Sequence, residues 1–173
     1  MSVLENIHQL DLTTFDWCLQ RKRRDIALQI ARPISHSADG YLYAVAGVIA
    51  LVLQAWTFAT LLAVGFALER LIYFVCKNSF KRNRPAKAIT GFRSVIQASD
   101  EFSFPSGHTS GAFFMACSAS LFEPVLGIIF FPWAALVGAS RVMLGVHFPT
   151  DCFAGALLGT SVCLSVSHYL SGV

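Results

Sequence analysis

Charge is scarce in this chain. Asp, Glu, Lys and Arg make up only 13% of its 173 residues, against about 25% in a soluble domain, and none falls between Gly40 and Leu68. A surface so poor in charge must face lipid over much of its area, which excludes an ordinary water-soluble domain. Disorder is excluded as well, because 15 Phe and a net charge of only +3 describe a chain that collapses. The five cysteines are odd in number and lack the paired spacing of a zinc site or a small disulfide scaffold, so they are expected as small buried hydrophobes. The first thirty residues lack a continuous apolar core and carry Glu5, Asp11, Asp16 and the basic run Arg21 to Arg24. No cleavable signal peptide is expected, and membrane insertion falls to later helices. No repeat or low-complexity tract appears.

What is abundant is apolar, 55% of residues with a mean hydropathy of +0.59. From Leu4 to Ala31 apolar and charged residues interleave; the segment is too polar to span and reads as an amphipathic helix on the membrane surface, ended by Pro33. The apolar stretch from Gly40 to Cys76 is too long for one span, since a bilayer core needs about 20 helical residues. It divides near Gln54 to Trp56 into helices over 34–54 and 56–77. A charged loop runs from Lys77 to Phe104, and apolar helices resume over 107–122, 124–144 and 149–170. The expected fold is all-α, a single domain over 1–173. An interfacial N-terminal segment (1–33) precedes a polytopic membrane helix bundle of about five membrane helices (34–173). Gly155-x-x-x-Gly159 would let a neighbouring helix of that bundle approach closely.

In such a bundle ionisable groups mark function by default, and here they collect at helix ends: 77–85, 105–108 and 140–151. Because successive spans reverse direction, all three ends fall on one side of the membrane. Lys77 and Arg84 lie two helical turns apart and would face a common spot if the helix continued, a pair suited to an oxyanion. Ser106 is a candidate N-cap and Gly107 lets a ligand reach the backbone, so the start of this helix can hold an anion, with His108 one residue on as a proton donor. Pro149 starts another helix, placing His147 just outside it and Asp151 in its first turn, close enough to fix the imidazole tautomer, with Arg141 nearby.

Together these are Lys77-x6-Arg84-Pro85, Pro105-Ser106-Gly107-His108 and Ser140-Arg141-x5-His147-x3-Asp151. In that order and without substitution they resemble the three motifs of the type-2 phosphatidic acid phosphatase family, which includes membrane lipid phosphatases and vanadium haloperoxidases. The resemblance implies that His147 attacks phosphorus, Asp151 orients it, and His108 protonates the leaving oxygen and then helps water hydrolyse the phosphohistidine. It also implies that Lys77, Arg84, Arg141, Ser106 and Gly107 hold the phosphoryl oxygens, without metal or other cofactor.

The partner so implied is a lipid phosphate: phosphatidate, phosphatidylglycerophosphate, a lipid A phosphate or an isoprenyl phosphate or pyrophosphate. Membrane lipids surround the protein and no nucleic acid is expected. A lipid phosphotransferase using the same intermediate is the alternative, with a vanadate-dependent haloperoxidase further behind. Sidedness is in conflict: the basic residues of 1–33 and 77–93 favour the cytoplasmic side, whereas the resemblance favours the periplasmic face of a bacterial inner membrane. Glu69 and Arg70 are expected as a structural ion pair, and His8, His36 and His168 as interfacial or capping residues.

Overall fold

The computed structural model describes residues 3–20 and 24–172, and every regular element among them is helical. The described residues of the N-terminal segment form α1 (Val3–Leu19) and α2 (Arg24–His36). Arg21 to Arg23, most of the expected basic run, lie outside the described residues, as does the side chain of His8. Both helices dock on the bundle. α1 turns Phe15 inward against Phe92 and Phe148, ring centroids 5.1 and 5.7 Å away, and leaves Leu10 and Trp17 exposed. Pro33 does not end α2. It sits three residues from the helix end, where it removes a single backbone bond, and the packing of buried Ala31 beside Leu144 and Val146 holds the last turn in place.

Residues 34–36 thereby join α2, and the next helix, α3 (Tyr41–Val52), is shorter than the 34–54 expected. A turn over 37–40 separates them, closed by Gly40 at φ +110°, in the left-handed region that suits glycine. The break near Gln54 is present, with that residue at φ +54°. Beyond it run α4 (Trp56–Phe80), α5 (Pro85–Ala88), α6 (Gly107–Phe122), α7 (Pro124–Met143) and α8 (Pro149–Leu170).

Three helices among the described residues are long and apolar enough to cross a membrane, α4, α7 and α8. At 1.5 Å per residue α3 and α6 reach only about 18 and 24 Å, short of a 30 Å core. α6 compensates by position: it is the centre of the bundle, buried along ten of its 16 residues and packed on α4, α7 and α8. The α6–α8 contact is made by glycine. A β-carbon on Gly155 would stand 2.6 Å from the Ser106 carbonyl oxygen, and one on Gly159 would strike that of Ser110. The small residues of α8 thus serve packing within the bundle. The five free cysteines are buried or half-buried.

Candidate active site

Where the site-side helix ends meet, the long loop folds back over them around a cavity of about 960 Å³. Gly107, His108, Arg84, Arg141 and His147 line it, joined by Asp39, Arg70, Tyr73 and Asp100. The three sequence clusters therefore converge.

His147 follows the C-terminal end of α7 and precedes Phe148, whose extended backbone is set by Pro149. Its Nδ1 lies 2.7 Å from the Ser103 carbonyl oxygen, to which it donates. That bond assigns the proton to Nδ1, so the unprotonated Nε2 accepts a long hydrogen bond from Arg84 Nη1 at 3.4 Å. Asp151 stands 3.8 Å from Nδ1, an ion-pair distance. The hydrogen bond of Nδ1 is thus made to a backbone carbonyl of the loop, and the Asp151 carboxylate stands beside it at a distance too long for a hydrogen bond. Asp151 accepts instead from the Phe148 amide at 2.8 Å and from Arg82 at 2.7 Å. Burial pushes the His147 imidazole down to about 4, against the pull of Asp151 and with help from the charge of Arg84.

The cations of the site are paired within the protein. α4 ends at Phe80, with Lys81 left-handed, so Arg84 does not share a helix face with Lys77 as the spacing suggested. The two meet through Asp100: Lys77 donates to it at 2.7 Å and Arg84 bonds both its carboxylate and its carbonyl. Tyr73 donates to the same carboxylate at 2.6 Å. Burial works against ionisation, yet bonds from Lys77 and Tyr73 and the flanking charges hold the Asp100 carboxyl down at about 2. A carboxylate thus occupies the cation pair that suits a phosphoryl group. Arg141 donates to Ser35 at 2.7 Å, while its buried Nε has no hydrogen-bond partner.

His108, in the first turn of α6, has Nε2 2.7 Å from Asp39. His36 Nδ1 reaches the same carboxylate at 2.5 Å, which ties the last residue of α2 to the turn that follows it. Although burial opposes it, these bonds keep the Asp39 carboxyl below its ordinary value. Ser106 holds the N-cap position of α6 as expected, but its buried hydroxyl pairs with the Thr109 side chain at 2.9 Å instead of a backbone amide, and its own amide donates to the Asp151 carbonyl. Gly107 lines the cavity, and a β-carbon there would meet the Tyr73 ring at 2.9 Å. Glu69 and Arg70 form the expected pair, 2.5 and 2.6 Å apart through two bonds, with Ser110 also donating to Glu69.

Sequence reasoning missed Asp39, Asp100, Ser103 and Arg82. Asp39-Gly40 is a turn dipeptide, the one signal that could have split 34–54. Ser103 acts through its carbonyl, which no side-chain pattern reveals. A second cavity, apolar and of about 470 Å³, lies between α3, α4 and α6 and shares Gly40, Tyr43 and Phe66 with the first.

Residues 55–172 match the model of the PAP2 superfamily. The chain is 34% identical to phosphatidylglycerophosphatase B of Bacillus subtilis over 61% of its own length and 54% of the relative's. It is 30% identical to a putative undecaprenyl-diphosphatase of Escherichia coli over 60% of its own length and 52% of that protein. It spans about half the length of the curated relatives it matches. Among solved structures, LpxE of Aquifex aeolicus superposes with a TM-score of 0.81 at 26% identity, covering 92% of this chain and 96% of the other.

Proposed function

The chain belongs to the PAP2 superfamily, and from that premise we propose that it is an integral-membrane lipid phosphatase. It hydrolyses a phosphomonoester or pyrophosphate of a lipid through a phosphohistidine. The observation that carries this reading is His147: its one proton is held by the Ser103 carbonyl, and its unprotonated Nε2 faces Arg84 in a cavity shared with Arg141 and His108.

Nε2 attacks phosphorus in line, the bond to the leaving oxygen breaks, and His108 gives that oxygen its proton. His108 then takes a proton from water, whose oxygen displaces Nε2 from phosphorus; inorganic phosphate leaves and both imidazoles return to their starting state. Lys77, Arg84 and Arg141 balance the phosphoryl charge, and the Gly107 end of α6 adds its amides. Asp100 must release the two cations it holds as the phosphoryl group enters. Asp151, close to Nδ1, stabilises the positive ring formed during attack. These charges come from side chains alone, so full turnover is expected in excess chelator.

A lipid substrate fits the apolar cavity that adjoins the catalytic one, with the phosphate among the cations and the tail between α3 and α4. α3 and α6 join α4, α7 and α8 as membrane helices in this reading, five in all. The site opens at the periplasmic face of a bacterial inner membrane. The names of the relatives place phosphatidylglycerophosphate and undecaprenyl diphosphate in the test panel. The test is inorganic phosphate release by the purified protein from lipid phosphates, with and without EDTA. Release from at least one, unaffected by EDTA, is expected; no release from any, or release only with added metal, overturns the reading.

A further inference from the structure

The first motif contains a cation that the phosphate cradle does not use. Arg82 lies between Lys77 and Arg84, and its guanidinium turns away from the cavity, over the Phe148 ring at 4.5 Å. Nη1 donates to Asp151 at 2.7 Å and to Thr150 at 2.8 Å; Nη2 donates to Asp11 at 2.5 Å. Asp11 belongs to α1 and is buried, 1% exposed. It also accepts from the Thr150 amide at 3.0 Å and the Thr150 hydroxyl at 2.5 Å. Through its backbone Arg82 reaches the other partner of His147 as well, since the Ser103 amide donates to the Arg82 carbonyl at 2.8 Å.

A fully buried carboxylate on a surface helix is costly unless it is paired. Here the partners among the described residues are Arg82, in the connection between α4 and α5, and Thr150, in the first turn of α8 three residues after His147. The alternative, that Asp11 merely anchors α1, accounts for one contact but not for three converging on Arg82 and Thr150, where Phe15 already supplies the apolar anchor. Moreover α1 lies outside the residues 55–172 that match the family model.

We propose that Asp11, acting through Arg82, is a positioning residue for catalysis: α1 completes the Asp11–Arg82–Asp151 chain that fixes the carboxylate facing His147. This rests on the phosphohistidine reading above. Arg82 between two carboxylates leaves the cluster one negative charge to set against the ring as it becomes cationic. Without the Asp11 charge Arg82 neutralises Asp151, and an amide at this position offers one acceptor oxygen where the carboxylate offers two to Arg82 and Thr150. The effect appears in the chemical step, while the phosphoryl cradle of Lys77, Arg84 and Arg141 is untouched.

The test is steady-state kinetics on the full-length protein in detergent, using whichever lipid phosphate the unmodified protein hydrolyses. Asp11→Asn is expected to lower kcat about ten- to hundredfold, the scale of one charged hydrogen bond, with KM within about twofold. Asp11→Glu should recover most of that loss, and Asp16→Asn, on the exposed side of α1, should change nothing. Should Asp11→Asn fail to fold, Arg82→Lys, which keeps the charge but cannot bridge two carboxylates, is expected to lower kcat in the same way. An unchanged kcat in the folded variant, a change confined to KM, or no recovery with Glu overturns the inference while the lipid phosphatase reading stands. If the unmodified protein releases no phosphate from any lipid, both fall together.

Discussion

At the scale of single residues the account depends on protonation. His147 is buried at 2% exposure and held down to about 4 from an ordinary 6.5. Between those values its ring is neutral in the folded protein and protonated in the unfolded one. It therefore contributes no penalty above pH 6.5, and stability declines as pH falls from 6.5 toward 4. In a ligand-free sample with 13C-labelled histidine, the ring resonance assigned by its loss in His147→Ala should titrate near pH 4; a midpoint near 6.5 contradicts the burial argument. Asp39 carries a second prediction. Asp39→Asn removes the charge from the pair with His108, and kcat should fall about tenfold, less than the 10²–10⁴ typical of a general acid itself. An unchanged kcat would separate Asp39 from the reaction. The motif residues were legible because side-chain type and spacing carry them. Ser103 was not, because its part is played by a carbonyl, and Asp100 was not, because an acid beside Glu101 in a polar loop has no spacing to recognise.

At the scale of elements, glycine divides into two kinds. Gly155 of α8 faces the backbone of α6, whereas a β-carbon on Gly47 of α3 meets nothing within 4 Å. Gly155→Val should destabilise the protein by about 1–3 kcal/mol, since backbone rather than a flexible side chain must yield. Gly47→Ala should leave melting in detergent within a degree or two. Equal melting shifts would refute the packing assignment. The positions of α4, α7 and α8 could be read from apolar length and from Pro124 and Pro149 at their starts. Hydropathy could not separate α2 from α3, because it does not register a four-residue turn, and Pro33 was a false stop because packing on α7 outweighs one lost backbone bond. The Gly-x-x-x-Gly stripe was read correctly because close approach is a purely steric demand.

At the scale of the whole molecule, helix ends far apart in sequence form one pocket because the bundle reverses direction at each turn. The same reversal puts Lys87 and Ser171 at opposite ends of the bundle. In a cysteine-free background within intact cells, Lys87→Cys should react with a membrane-impermeant maleimide and Ser171→Cys should not. The opposite pattern would place the site on the cytoplasmic face. Convergence itself was legible from three motifs at three helix ends; the docking of α1 onto the far side of the site was not, since Asp11 carries no motif.

In the proposed reaction every turnover passes through a single nucleophile, His147. The most direct measurement compares phosphate release from the preferred lipid phosphate by the unmodified protein and by His147→Ala, both monodisperse and equally helical. A loss of at least about a thousandfold is the expected result. Undiminished turnover by the folded variant would contradict the account.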